Sequence, residues 1–289
     1  MLAYRHAFHA GNHADVLKHL VLTALLRYLG QKEKGFRCID THAGAGGYSL
    51  SGARAAQRRE HALGIARLWG RDDPPALVAD YLAQVQAFNG QGPLRRYPGS
   101  PAIAAGLLRP QDELRLFELH PSDHRLLARA MRGRAQCRVE PADGFAALPS
   151  LLPSPTRRAL LLIDPSYEIK TDYTRTLGAA REALTRMPGA VVMIWVPLLQ
   201  RVDAVRLPQR LRATAEQAAG SAGSKGWLQA RLAVARGDDQ GFGMLGSSVF
   251  VFNPPHTLAA SLRASMPWLA GVLAQDGVTP TWAVEGQAA

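Results

Sequence analysis

Four consecutive residues, Asp164-Pro165-Ser166-Tyr167, close the apolar run Leu160 to Ile163 with a carboxylate, a proline and an aromatic ring. An exocyclic amine on an aromatic ring, such as that of adenine, is a poor nucleophile because its lone pair is delocalised, so chemistry on it begins with orientation. Asp164 can accept one amine hydrogen and the Pro165 carbonyl the other, turning the lone pair toward an electrophile. Tyr167 can then stack on the base. After an in-line displacement the nitrogen is strongly acidic, and Asp164 or solvent takes the proton without an unusually high carboxylate pKa. Such a base has to leave its stack to be reached. Asn253-Pro254-Pro255-His256 has a similar short pattern, but a catalytic turn of this kind is expected to be followed by further strands. Three candidate strands follow Asp164, whereas only a mainly helical tail is expected after Asn253.

A second constellation is the glycine loop Asp40-Thr41-His42-Ala43-Gly44-Ala45-Gly46-Gly47, which follows an apolar run from Phe36. In a doubly wound sheet ligands bind beyond such carboxyl ends. The loop lacks Gly-Lys-Ser/Thr for a phosphate cradle and the third glycine of the dinucleotide fingerprint. A nucleoside ligand without pyrophosphate, such as S-adenosylmethionine, suits it better. Glu118, closing the run from Leu114, is placed to hold ribose hydroxyls, and Asp143 before Gly144 offers a carboxylate for the cofactor's adenine amine. Read alone, an Asp-Gly pair is also an ordinary turn.

These residues need a scaffold of strand ends. Apolar runs at Phe36 to Asp40, Leu114 to Leu119, Cys137 to Val139, Ala159 to Asp164 and Ala190 to Val196 alternate with helical segments, which predicts a mostly parallel sheet covered on both faces. Trp227 to Val234 and Ser247 to Phe252 read as an antiparallel pair closing an edge, giving seven strands of an α/β fold. Asn12 is expected to cap a helix from His13 to Leu29 with Gly30 as its stop. Residues 51–96 read as a helical insertion between two parts of one core, residues 1–50 and 97–289, with breaks at Asp72 to Pro75 and Asn89 to Pro93. Pro149 to Pro155 and Ala218 to Gly226 read as loops.

The formal net charge of +11 suits a polyanionic partner, since phosphate contacts dominate nucleic-acid affinity. Only five of the 34 basic residues are lysine, so part of the bias reflects an arginine-rich composition. Cys38 and Cys137 share no ligand spacing, which suits a reducing compartment. No apolar stretch is long enough for a membrane span, so a cytoplasmic protein is expected. The amino terminus, Tyr4, Arg5, His6, Phe8, His9, His13, Lys18 and His19, mixes basic and ring side chains. No cysteine joins the four histidines and their spacings lack the usual zinc pairs, so stacking on unpaired bases is the better expectation than a metal.

With these residues in hand, MLAYRHAFHAGNHADVLKH at the start, DTHAGAG from Asp40, YPGSP from Tyr97, ELHPSD from Glu118 and DPSYE from Asp164 resemble the bacterial 23S ribosomal RNA adenine-N6 methyltransferases of the J type. The resemblance spans almost the whole chain. It implies a Rossmann-like class I methyltransferase fold that modifies one adenine of 23S ribosomal RNA with S-adenosylmethionine; a monomer without metal is expected. It also implies that His19, His42, Ser100, Glu118, Asp143, Gly144 and Asp164 line the cofactor site, with Asp164 the catalytic acceptor and Tyr4 near the target RNA. One departure is Ser166, where the family pattern usually has a second proline. Proline fixes φ and serine does not, so a looser Tyr167 and a reduced rate are expected, relieved by Ser166→Pro. Two other readings are a DNA adenine methyltransferase, since the same turn serves both substrates, and a nucleic-acid-binding protein that has lost turnover. An insertion of about fifty residues is small for a duplex-reading domain, which favours RNA.

Overall fold

Strands form where the apolar runs lie: β1 (Arg37–Asp40), β4 (Glu113–Phe117), β5 (Cys137–Glu140), β6 (Ala159–Ile163), β7 (Val191–Leu198), β8 (Trp227–Ala233) and β9 (Gly246–Phe252). Successive side chains on a strand point to opposite faces, so one run serves two layers. In β6, Leu160 and Leu162 join one buried cluster while Leu161 and Ile163 join the other. The computed structural model describes residues 6–51, 59–237 and 243–287. Among them no helix is long and apolar enough to cross a membrane.

Among the described residues the main sheet has eight strands, one more than expected, in the order β10-β8-β9-β7-β6-β1-β4-β5, where β10 is Thr281–Gln287. Strands β5, β4, β1, β6 and β7 are parallel, and β9, β8 and β10 continue antiparallel. The tail after Asn253 is thus helix and then edge strand. β10 escapes a search for apolar runs because it is mostly exposed, with Trp282 and Val284 its main apolar residues. A strand does follow Asn253, and it is the direction of β9 that keeps this turn away from the site. Because β9 runs antiparallel, its end pairs with the start of β7, Phe252 opposite Val192, so Asn253 sits at the opposite end of the sheet from the tips of β1, β4 and β6. There its side chain donates to the carbonyls of Pro188 and Ala190.

The helices sort by layer. On one face lie α1 (His13–Gly30), α4 (Ser100–Leu107) and α9 (Leu258–Leu273); on the other lie α6 (Gly144–Leu151), α7 (Thr171–Arg186) and α8 (Val202–Ala218). A further helix, α5 (Pro121–Ala130), buries Leu127 against the first group. Pro149 lies inside α6 rather than in a loop. Asn12 caps α1 by accepting from the N–H groups of Ala14 and Asp15. Gly30 is the helix's last residue rather than a left-handed stop, and Gln31, right-handed, closes the end.

Between β2 (Gly47–Ser49) and β3 (Arg96–Pro98), which pair as a short antiparallel ribbon, lie α2 (Ile65–Leu68) and α3 (Ala76–Asn89). Their buried Ile65, Leu68, Val78, Tyr81 and Val85 join the cluster that holds α1 to the sheet. This segment therefore shares the core and helps to hold α1 in place.

Candidate active site

Strand order reverses at β1, which lies between β4 and β6, and a crevice opens at the carboxyl ends of strands at such a switch point. A cavity of about 630 Å³ lies there, and Thr41, His42, Glu118, Asp143 and Asp164 are among its lining residues. Apart from Tyr4 and Tyr167, every site residue expected from the sequence lines it: His19, His42, Ser100, Glu118, Asp143, Gly144 and Asp164. Tyr4 lies outside the described residues.

The glycine-loop side is built from short-range contacts. Gly44 and Gly46 have φ of 61° and 80°, and a Cβ on Gly44 would meet the Tyr48 hydroxyl at 2.4 Å. Glu118 accepts from the N–H groups of Gly44 at 2.8 Å and His120 at 2.7 Å, fixing the loop to the end of β4. Burial nevertheless raises its carboxyl above the ordinary value against those two donors. Asp143 caps α6 through the Phe145 N–H and pairs with Arg175. Burial would raise Asp143, but the Arg175 hydrogen bond and charge outweigh it and leave the group below its ordinary value. Gly144 has to be glycine, because a Cβ would sit 2.3 Å from the Thr41 carbonyl oxygen. Asp40 accepts from Ser100 Oγ at 2.7 Å, and burial lifts it to about 6. His42, edge-on to Phe145, is lowered to about 4, chiefly by burial.

The other side is a buried charge chain carried by α1. Asp15, Lys18 and His19 are spaced three and four apart, so they share a helix face. Lys18 Nζ bridges Asp15 Oδ1 at 2.8 Å and Asp164 Oδ2 at 2.6 Å. Asp15 Oδ2 accepts from the Gly11 N–H and pairs with His6 Nε2, both at 2.9 Å. Burial would raise Asp15, but the charges of His6 and Lys18 hold it well below its ordinary value. Burial would lower Lys18, but Asp15 and Asp164 hold it well above. Asp164 itself is raised by burial, with Lys18 limiting the rise. His19 is 1% exposed, stacks on Tyr97 and bonds its hydroxyl at 2.8 Å, and burial lowers it to about 3. Tyr97 in turn bonds Tyr81 of α3 at 2.9 Å.

Two acceptors at the tip of β6 are left over. Among the described residues, no donor reaches Asp164 Oδ1 or the Pro165 carbonyl oxygen. Tyr167 departs from expectation. Its backbone is left-handed (φ 55°), its ring is 2% exposed against Tyr173 and Trp195, and its hydroxyl donates to the Trp195 carbonyl at 2.8 Å. Turned inward and fully engaged, it offers no free face for stacking, and it is held firmly without a second proline. Trp195, half-buried, lines the cavity instead.

Sequence reasoning gave no site role to Asp15, Lys18, Asp40 or Trp195. The usable signal was the Asp15-Lys18 pair among the apolar positions Val16, Leu17 and Leu20 of the helix, since such charges stay buried only when paired.

The donor set fits S-adenosylmethionine: the left-handed Gly44, carboxylates just beyond the ends of β4, β5 and β6, and a glycine without room for a Cβ line one cavity. Comparison with known proteins agrees. A family model described as Ribosomal RNA large subunit methyltransferase D, RlmJ, matches residues 33–285. Over 287 residues the chain is 44% identical to Ribosomal RNA large subunit methyltransferase J of Escherichia coli, covering 98% of this chain and 99% of that one. It is 42% identical over 286 residues to the protein of that name from Haemophilus influenzae, covering 99% and 98%. A crystal structure of a Legionella pneumophila protein, 30% identical, superposes with a TM-score of 0.85 over 96% of this chain and 98% of that one. The chain belongs to the Ribosomal RNA large subunit methyltransferase D, RlmJ family.

Proposed function

We propose that this enzyme transfers a methyl group from S-adenosylmethionine to the N6 amine of an adenine in 23S ribosomal RNA, as a monomer working in the cytoplasm. The observation that carries the reading is the pair of unengaged acceptors, Asp164 Oδ1 and the Pro165 carbonyl, at the edge of a cavity whose other wall is a glycine loop. Two hydrogens on a planar amine match two adjacent acceptors, and once both are engaged the nitrogen lone pair is the only part left to react. The cofactor, when bound, supplies an electrophilic methyl group on a positively charged sulfur.

The chain's own residues do the rest. Glu118, Asp143, Gly144, His42, Ser100 and His19 hold the cofactor. Lys18 takes one oxygen of Asp164 and fixes the carboxylate, leaving Oδ1 to the substrate. Asp164 or water then accepts the proton that the methylated nitrogen sheds. The adenine N6 position is supported by the Asp-Pro acceptor pair, and the ribosomal substrate by membership of a ribosomal RNA large subunit methyltransferase family.

The test is methyl transfer itself: incubate the protein with methyl-labelled cofactor and undermethylated 23S ribosomal RNA, transfer RNA or DNA, then map the labelled nucleotide by mass spectrometry. N6-methyladenine at one site of the ribosomal RNA is the expected product. Label in DNA alone would favour the DNA reading, and no cofactor binding by calorimetry would favour a protein without turnover.

A further inference from the structure

The mechanism above makes no use of Ser166, although it sits two residues from the reacting carboxylate. It lines the cavity, half-buried, beside Pro165 and before the anchored Tyr167. Among the described residues its hydroxyl has no hydrogen-bond partner, and it is not sealed into the core. The wall of the same cavity includes the apolar Pro165, Ile169, Trp195 and Pro197 along with the charged Asp164, Asp172 and Arg175. A base entering there takes water away from the hydroxyl, and a hydroxyl stripped of water without a replacement partner is costly.

The base brings such a partner. Adenine's amine is flanked by bare ring acceptors, N1 on one side and N7 on the other. A base gripped only at its amine can still hinge about the line through the two acceptors, which tips the lone pair out of line. A second anchor beside the amine stops that motion. Resting on the adenine-methylation reading, the geometry points to Ser166 as that anchor: its hydroxyl donates to the ring nitrogen adjacent to the target amine. A proline at this position could not donate, so this is a contact that the chain gains where the family pattern usually has proline.

The test is a substitution cycle between protein and base. Single-turnover methyl transfer is measured for the parent, Ser166→Ala and Ser166→Thr on ribosomal RNA fragments carrying adenosine, 1-deazaadenosine or 7-deazaadenosine at the target. The parent is expected to lose about three- to tenfold on one of the two analogues, the scale of one neutral hydrogen bond. Ser166→Ala is expected to lose a similar factor on adenosine and nothing further on that analogue, and Ser166→Thr to recover. The responding analogue identifies N1 or N7. Equal losses for Ser166→Ala on all three fragments would mean a merely structural role and overturn the proposal, as would no loss at all, or a parent indifferent to both analogues. If the parent labels none of the fragments, including adenosine, the adenine-methylation reading itself fails and the proposal falls with it.

Discussion

The two sides of the cavity hold their carboxylates in different ways. Glu118 is fixed by the amides of Gly44 and His120, Asp143 by the Phe145 amide and the exposed Arg175, and both carboxylates keep partial access to water. Asp164 is fixed by a cation that reaches it from a helix 146 residues earlier in the chain, and that cation is itself held by the buried Asp15. The first arrangement forgives loss of a partner, because solvent can substitute. The second does not, because a buried charge without its counter-charge has no alternative solvation.

Lys18→Met is the sharpest way to break this contrast. It strands Asp15 and Asp164, and a loss of about 3–5 kcal/mol of stability is expected from denaturant midpoints, with the added Asp15→Asn change recovering part of it. Asp164→Ala should fold, since Lys18 keeps Asp15, yet lose on the order of a hundredfold or more in single-turnover rate. Activity within a few-fold of the parent would remove Asp164 from its role.

Acid probes the buried histidines. In the fold His19 is lowered to about 3 and His13 to about 4, against an ordinary value near 6.5. Their neutral forms contribute stability that is complete above about pH 6.5 and is lost as pH falls toward those values, about 1.4 kcal/mol for each unit of depression. Asp40, raised to about 6, works in the opposite sense, favouring the fold as it is protonated. Stability measured from pH 7 down to pH 4 should therefore fall, His19→Gln should flatten the fall, and Asp40→Asn should steepen it. An unchanged slope in His19→Gln would mean that the imidazole is not held neutral.

Smaller effects belong to the glycine-loop side. Glu118→Ala should weaken cofactor binding about tenfold by calorimetry, the scale of one charge-assisted hydrogen bond, before it touches the rate at saturating cofactor. Arg175→Ala, which frees the partly exposed Asp143, should shift stability by less than about 1 kcal/mol, because both partners meet solvent. A loss as large as that of Lys18→Met would erase the distinction between the two sides.

What the sequence determined by itself was whatever is encoded by neighbours along the chain. The apolar runs that became β1, β4 to β9, the Asn12 cap, the glycine loop and the Asp164-Pro165 tip all read correctly because pleat, cap and turn depend on residues a few positions apart. Packing decided the rest. Lys18 meets Asp164 only once α1 packs on the face of the sheet with its early turns beside the tip of β6, a placement reinforced by side chains of α3 that no local pattern connects to it. Tyr167 is turned inward by a left-handed backbone and a carbonyl 28 residues away, and β10 becomes a strand only because β8 offers it an open edge. Contacts of that range are selected by burial and by the pairing of buried charge, and those quantities exist only after the chain has folded.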